Sequence, residues 1–341
     1  MSGMKKKNVV SIRPEGCSTT GTAELRVSNL KAAYKENSIL HDINLSLVQG
    51  EFVCLCGPNG AGKTTLLSVM AGVPDVKLKV SGEVNVVSIR PAGYSTTSTA
   101  DPVVECDAER RVSKPQEPPV DLKTLPRSAA ARLLAYMQQN EYSEWDFNVR
   151  DYVLQGRYAH AQGLRRGQTL GRRKLSDFFR FFGPANYTAA DYAVVDGVLA
   201  ELNLSQFATR TIHSLSGGEF QKIRLARALA QTPKFLLLDE PAANLDYVFE
   251  PQLMQLLRDT THNKKLGVLA AVHDINLAAR FADKIILLPP ASAAPSAQST
   301  GNSKKSVLFG SPSDIINEDN LKYTFGVDFE CKEIKSYQSL L

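Results

Sequence analysis

The chain has 341 residues, of which 43% are hydrophobic and 22% are charged, a composition that can fill a core and keep the surface soluble. The net charge of +5 is mild, and no basic stripe with interleaved aromatic residues occurs, so nucleic-acid binding is not favoured. No stretch approaches the roughly 18 apolar residues of a membrane span, and none follows the N-terminal basic residues, so we expect neither a transmembrane helix nor a signal peptide. Five irregularly spaced cysteines favour a reducing cytosol, with Cys54 and Cys56 in a buried strand.

A polar phrase occurs twice near the N-terminus. NVVSIRPEGCSTTGTAE at residues 8–24 and NVVSIRPAGYSTTSTAD at residues 85–101 agree at 13 of 17 positions. Two copies without a longer period exclude a solenoid. Both copies are poor in core-forming residues, so we expect one in an N-terminal extension (1–24) and one in a surface insertion (85–121). Passive duplication of a DNA segment is the favoured hypothesis, because loops and termini tolerate added length. A docking segment for a common partner is the alternative.

An apolar strand, GEFVCLCG, leads into GPNGAGKTT at residues 57–65. This stretch fits the phosphate-binding pattern G-x-x-x-x-G-K-[ST]. The glycines let backbone N–H groups point at phosphates, and the helix that follows adds its positive end. The pattern assigns Lys63 to the β- and γ-phosphates and Thr64 to Mg²⁺. The predicted ATP-binding residues of this loop are Gly57, Pro58, Asn59, Gly60, Ala61, Gly62, Lys63, Thr64 and Thr65.

A second apolar strand is predicted in KFLLLDEP, which contains Asp239 and Glu240. A continuous apolar run of this length indicates a parallel strand buried on both faces. Two adjacent carboxylates suit the carboxyl edge of such a sheet, where ligands bind. We therefore expect Asp239 to hold Mg²⁺ and Glu240 to orient or deprotonate a water molecule.

The segment LSGGEFQKIRLARALA, residues 215–230, lies just before that strand. Ser216, Gly217 and Gly218 open an amphipathic helix, and small residues at a helix N-terminus make a second phosphate-binding surface. The segment resembles the signature motif of the ATP-binding-cassette (ABC) ATPases. The resemblance implies that Ser216, Gly217, Gly218 and Glu219 face ATP bound by a second copy of the chain, in a head-to-tail dimer that encloses two ATP molecules.

Four further positions match this family one at a time. Gln139 in LAYMQQN matches the Q-loop glutamine, which links Mg²⁺ and the attacking water to the transporter interface, although the family usually has Pro-Gln where this chain has Gln-Gln. Asp246 in ANLD resembles the D-loop residue at the dimer seam. His273 matches the switch histidine at the γ-phosphate, and Tyr34 matches the aromatic residue that stacks on adenine. The resemblance thus implies a catalytic set of Glu240, His273 and Gln139, and an Mg²⁺ set of Thr64, Gln139 and Asp239.

Three segments resemble one subgroup, the importers of iron–siderophore complexes, haem and cobalamin. They are FNVRDYVLQGRYAH (147–160), AVHDINLAARFADKIILL (271–288) and GSPSDIINEDNLKYTFGVDFECKEI (310–334). The resemblance implies an ATPase subunit on the cytoplasmic face of the inner membrane, bound peripherally to permease subunits and served by a separate substrate-binding protein. The alternatives are a soluble ABC ATPase that serves translation, DNA repair or chromosome structure, and an inactive regulatory cassette.

The resemblance also implies an α/β P-loop fold with a mostly parallel core sheet, an N-terminal antiparallel β subdomain and a helical signature subdomain. We expect the cassette at 25–290, with the helical subdomain at about 140–225. A low-complexity loop (291–306) and a tail (307–341) with a short helix followed by an FGV strand complete the chain. Residues 165–187 combine arginine, lysine and phenylalanine; a solvated loop is favoured, and contact with the permease or anionic lipid is the alternative.

Overall fold

The fold is given by a computed structural model that describes residues 22–35, 37–89, 119–139, 141, 143–161, 187–243, 245, 249–290 and 307–331. Several predictions lie outside these residues. They are the first repeat copy before residue 22, nearly all of the basic–aromatic stretch, Asp246 and the loop at 291–306.

An antiparallel sheet, sheet A, is built near the N-terminus in the strand order β2-β1-β4-β5. Its strands are β1 (Thr22–Tyr34), β2 (Asn37–Val48), β4 (Leu78–Ile89) and β5 (Val120–Asp121). Buried residues such as Leu25 and Val27 tend to alternate with more exposed ones along β1, as expected for a sheet that covers a core with one face. The predicted antiparallel subdomain is therefore confirmed.

The central sheet, sheet B, has the order β10-β9-β3-β8-β7-β6. Its strands are β3 (Phe52–Cys56), β6 (Leu134–Met137), β7 (Phe235–Asp239), β8 (Gly267–Ala271), β9 (Lys284–Leu287) and β10 (Leu308–Gly310). All of its pairings are parallel except that of β9 with β10. Every residue of β3, β7 and β8 is buried. Cys54 and Cys56 belong to β3, so the prediction that they lie in a buried strand is confirmed. Because these three strands are parallel, the segments that follow them emerge at one edge of the sheet.

Sheet B divides the core into two halves. Alternate residues of β3 point to opposite sides: Val53 and Leu55 pack with sheet A and the first helix, while Cys54 and Cys56 pack with the other helices. The described helices are α1 (Lys63–Met70), α2 (Arg127–Leu133), α3 (Val149–Leu154), α4 (Ala189–Glu201), α5 (Gly217–Ala230), α6 (Phe249–Lys264), α7 (Ile275–Phe281), α8 (Pro312–Ile315) and α9 (Glu318–Phe325). Helices α3, α4 and α5 pack on one another as the helical subdomain. Among the described residues, none of the helices has the length and apolar character needed to cross a bilayer.

The repeated phrase takes part in sheet A, which differs from our expectation of copies lying outside the fold. Thr22 pairs with Ile89 and Glu24 with Val87, so the end of the first copy lies against the start of the second. Ala23 and Val87 are buried. The expectation is wrong for residues 22–24 and 85–89, because even a short run of alternating small and β-branched residues can complete a sheet that is buried on one face.

We expect that replacing residues 90–118 with a short Asn-Gly turn will leave folding intact. Asn85 pairs with Asp121 and Val86 with Val120, so the strands on either side of this segment are antiparallel neighbours. Shortening the connection should change the free energy of unfolding by no more than about 2 kcal/mol, since each doubling of loop length costs about 0.6 kcal/mol. Urea unfolding measures this change. In the control, the same turn replaces the longer segment 86–120. This variant loses the buried residue Val87 and should be less stable than the first. Equal stability of the two variants would contradict the assignment of residues 86–89 to strand β4.

The tail also differs from its predicted form. It contains strand β10 followed by α8 and α9, and the FGV segment is not a strand. Phe325 is the last residue of α9, and Gly326 caps that helix with a left-handed φ of 74°. A glycine just past a helix takes this conformation readily, and this local signal overrides the strand propensity of its neighbours.

Candidate functional site

The phosphate loop connects β3 to α1 and needs glycine at two close approaches. A Cβ atom on Gly57 would lie 2.3 Å from the carbonyl oxygen of Leu288, and one on Gly62 would lie 2.8 Å from a methyl group of Ile39. Gly62 has a φ of 97° and Gly60 a φ of 80°, values that disfavour other residues. These constraints agree with the glycine positions of the predicted motif.

Lys63, the first residue of α1, folds back over this loop. Its Nζ donates hydrogen bonds to the carbonyl oxygens of Gly57 (2.8 Å) and Pro58 (3.2 Å). Burial lowers the pKa of Lys63, and the nearby carboxylates of Glu240 and Asp239 oppose that effect. The partly desolvated ammonium group of Lys63 therefore lies against the backbone of the phosphate loop.

Asp239 ends β7 and is fully buried. Neither of its carboxylate oxygens has a well-formed hydrogen bond to any described residue, although the Thr64 hydroxyl lies close enough to lower its pKa. Desolvation outweighs this contact and raises the pKa of Asp239. An unsatisfied buried carboxylate beside a threonine hydroxyl fits Mg²⁺, a hard cation that takes oxygen ligands. No group of three or more His, Cys, Asp or Glu able to hold a metal occurs in the described part of the chain.

Asp239→Asn is expected to raise the stability of the chain in the absence of nucleotide, because it removes a desolvated charge that has no well-formed hydrogen bond. The gain should be about 1–3 kcal/mol in the free energy of unfolding, measured by urea titration. With ADP bound, adding Mg²⁺ should further stabilise the wild-type chain against unfolding, and this further stabilisation should be absent in Asp239→Asn. Asp196→Asn, at an exposed aspartate that pairs with Arg150, is the control and should change neither quantity. A less stable Asp239→Asn variant would contradict this interpretation.

Glu240 follows Asp239 and lies between two side chains that the sequence analysis had also selected. Nε2 of His273 lies 2.5 Å from Oε1 of Glu240, and Nε2 of Gln139 donates a hydrogen bond to Oε2. Both carboxylate oxygens are thus engaged. Glu240 also has a φ of 50°, a conformation that non-glycine residues adopt rarely and that often marks a functional site. The three residues predicted to be catalytic therefore meet at one point on the carboxyl edge of sheet B.

The signature segment forms the N-terminus of α5, with Ser216 as its cap. The Ser216 hydroxyl accepts a hydrogen bond from the backbone N–H of Glu219 (3.3 Å), and Glu219 Oε2 accepts one from the backbone N–H of Ser216 (2.7 Å). These contacts hold the pKa of Glu219 below its usual range. Ser216 and Gly217 are exposed. The Glu219 carboxylate caps the helix, so the exposed surface available to a ligand is formed mainly by Ser216 and Gly217.

Tyr34 ends β1, where it pairs with Asn37 of β2 and Leu78 of β4. It is packed partly against the core half that contains α1. Desolvation and, secondarily, the neighbouring carboxylate of Asp75 raise the pKa of Tyr34. The phenol ring is therefore placed in the subdomain that borders the phosphate loop.

Two residues that join these parts were missed by the sequence analysis. Gln221 and Arg224 of α5 are buried and contact the segments around Gln139 and Glu240. A signal existed in the sequence: both polar residues lie one turn apart, among the apolar residues Ile223, Leu225 and Ala226. This pattern predicts that both side chains make hydrogen bonds on the buried side of the helix, but it does not predict which residues accept or donate them.

The sequence profile of the ABC transporter family matches residues 40–243, which is more than half of the chain. The cobalamin import ATP-binding protein BtuD of Halobacterium salinarum is 33% identical over 264 residues, covering 77% of this chain and 52% of that protein. The hemin import ATP-binding protein HmuV of Burkholderia thailandensis is 30% identical over 311 residues, covering 89% and 93%. The chain therefore spans about half the length of the Halobacterium protein and nearly all of the Burkholderia protein.

Solved structures give the same fold. A metal-chelate type ABC transporter in an inward-facing conformation superposes with a TM-score of 0.57 at 24% identity, covering 90% of each chain. An ATP-binding cassette in its ADP conformation superposes with a TM-score of 0.54 at 18% identity, covering 78% of this chain and 87% of the other. The α/β class predicted from the sequence is confirmed. With the phosphate loop, the buried carboxylate strand and the signature helix in one fold, the chain belongs to the ABC transporter family.

Proposed function

We propose that this chain is the ATP-hydrolysing subunit of an ABC importer. The observation that carries the proposal is the meeting of Glu240, His273 and Gln139 beside a buried Asp239 with unsatisfied oxygens. Such a site contains an anchor for a metal–phosphate complex and, next to it, a carboxylate able to act on water.

The proposed chemistry assigns one task to each residue. Backbone N–H groups of the phosphate loop and the Lys63 ammonium bind the phosphates. The Thr64 hydroxyl and the Asp239 carboxylate would hold Mg²⁺, with Gln139 as a further ligand. When bound, Mg²⁺ would neutralise negative charge on the β- and γ-phosphate oxygens.

Glu240 would orient the attacking water and accept its proton, while His273 would donate a hydrogen bond to the γ-phosphate. Both carboxylate oxygens of Glu240 are occupied, one by His273 and the other by Gln139. The side chains of Gln139 and His273 must therefore turn from Glu240 towards the bound nucleotide before water can take their place.

The proposed assembly has further parts. A second copy would supply Ser216, Gly217, Gly218 and Glu219 across a head-to-tail dimer, with Asp246 at its seam. Permease subunits would hold the dimer peripherally at the cytoplasmic face of the inner membrane, and a substrate-binding protein would deliver cargo through them. Names of relatives that import cobalamin and hemin support a metal chelate or related cofactor as the cargo class.

Uptake by cells tests the proposal. Cells in which the native gene carries an inactivating Glu240→Gln change should lose uptake of one labelled metal complex among cobalamin, haemin and a ferric siderophore. The wild-type gene on a plasmid should restore that uptake. ATP hydrolysis by the purified chain together with unchanged uptake of all three complexes would favour the soluble ABC ATPase instead.

A further inference from the structure

Helix α5 presents two buried polar side chains towards the catalytic edge of sheet B. Gln221 is 5% exposed and Arg224 is 3% exposed, and both lie on the same helix as the signature surface at Ser216. Burying an arginine is costly unless its donors are satisfied. The partners of this guanidinium therefore indicate why it is there.

The Arg224 guanidinium binds two consecutive carbonyl groups of the backbone. Nη1 donates a hydrogen bond to the carbonyl oxygen of Gln139 at 3.2 Å, and Nη2 donates one to the carbonyl oxygen of Gln138. A planar guanidinium has several donors in fixed directions and can hold two consecutive carbonyl groups at once, which a lysine ammonium does less well. Arg224 thus fixes the backbone from which the Gln139 side chain projects.

The same guanidinium reaches Glu240 through Gln221. Nη1 of Arg224 also donates to Oε1 of Gln221 at 2.6 Å, and Nε2 of Gln221 donates to the carbonyl oxygens of Pro241 (2.8 Å) and Glu240 (3.4 Å). The Gln139 side chain completes a closed ring by its own hydrogen bond to the Glu240 carboxylate. Gln139 and Glu240, which are 101 positions apart, are therefore joined by two routes.

Glu141 supplies a negative charge beside both Arg224 and Arg227. Its carboxylate is held by Arg227, whose Nη2 donates to Oε2 at 2.6 Å, and by the Tyr152 hydroxyl at 3.2 Å. Nε of Arg224 lies 3.6 Å from that carboxylate without a hydrogen bond. The pKa of Glu141 is held below its usual range, mainly by Arg227 against the effect of burial. Arg224 and Arg227 thus share one neighbouring carboxylate, while the hydrogen bonds of Arg224 go to the backbone carbonyls and to Gln221.

We propose that Arg224 is a positioning residue for Gln139, and that Arg224 and Gln221 together fix the position of Gln139 relative to Glu240. This inference rests on the proposed roles of Gln139 and Glu240 in ATP hydrolysis. A displacement of the backbone at residues 138–139 is passed through the guanidinium and the Gln221 amide to the peptide that carries Glu240. Helix α5 thereby connects the glutamine loop to the base as well as carrying the signature surface.

The test is a double-mutant cycle in ATP hydrolysis by the full chain. Arg224→Lys keeps the charge but loses the planar set of donors. We expect kcat to fall by about 10-fold or more, as for other residues that support a catalytic ligand, with KM for ATP within about 2-fold of wild type. In a Gln139→Ala background the same substitution should cause less than about a 2-fold further loss, because Arg224 acts through Gln139.

Arg150→Lys is the matched control. Arg150 makes a two-pronged pair with exposed Asp196 in the same subdomain, so its substitution loses equivalent hydrogen bonds away from the site. Its kcat should stay at the wild-type value. If Arg224→Lys lacks the wild-type circular dichroism spectrum, Gln221→Met takes its place: kcat should fall because the link between Arg224 and the carbonyl groups of Glu240 and Pro241 is lost, and a wild-type kcat would overturn the inference.

The inference would be overturned by a wild-type kcat in Arg224→Lys, or by the full loss recurring in the Gln139→Ala background. Both results leave wild-type hydrolysis in place, so they do not affect the proposed function. Absence of ATP hydrolysis by the wild-type chain would instead overturn the proposed function and, with it, the premise of the inference.

Discussion

Glu240→Gln is expected to slow ATP hydrolysis at least about 10²-fold while ATP binding stays intact, in keeping with the loss of a general base. The carboxylate follows the proposed Mg²⁺ ligand, Asp239, and its two oxygens contact His273 and Gln139. The amide cannot accept the proton of water. Bound ATP should then persist and favour a nucleotide-bound dimer, which analytical ultracentrifugation detects, while phosphate release measures turnover.

Glu201→Gln is the matched control for this substitution. Glu201 is a partly exposed carboxylate at the end of α4 that pairs with Lys264. Its conversion to glutamine should leave turnover and the monomer–dimer distribution unchanged. Turnover of Glu240→Gln near the wild-type rate would remove Glu240 from the role of base.

Lys63→Ala is expected to weaken ATP binding itself by roughly 10- to 100-fold. A hydrogen bond to a charged group contributes about 1.5–3 kcal/mol, and each 1.4 kcal/mol is a tenfold change in affinity. The ammonium group lies over the phosphate loop, where it donates to the carbonyl oxygens of Gly57 and Pro58. Isothermal titration calorimetry with ATP in the Glu240→Gln background measures binding while hydrolysis is suppressed.

The control for Lys63→Ala must separate lost charge from a loosened loop. Lys264→Ala removes a lysine from an ion pair on α6 and should leave ATP affinity unchanged. Lys63→Met keeps most of the side-chain volume, so it should lose affinity as Lys63→Ala does if the charge is responsible. Unchanged ATP affinity in both Lys63 variants would count against the placement of the phosphate loop.

The sequence by itself determined the parts of this protein whose geometry is local. The turn at residues 57–62 depends on glycines within a few positions of one another, and the loop lies between an apolar strand and a helix. Asp239 and Glu240 could be placed at a sheet edge because the apolar run before them indicated a buried parallel strand. The signature segment was recognisable because its resemblance to the ABC-ATPase motif lies in one continuous stretch, which opens with a helix cap and small residues.

The tertiary structure alone decided which of these parts touch. The contacts of Gln139 with Glu240, and of Arg224 with the carbonyl groups of residues 138 and 139, join positions 101, 86 and 85 apart. Helical periodicity shows that Gln221 and Arg224 share a face, but the partner of that face depends on how α5 packs against sheet B. Strand β4 is similar: residues 85–89 belong to a polar repeat, and only their pairing with residues 22–26 of β1 places Val86 and Val87 in the core. Long-range packing selects one arrangement from several that the local sequence allows, because burial and hydrogen bonding are satisfied only when distant segments meet.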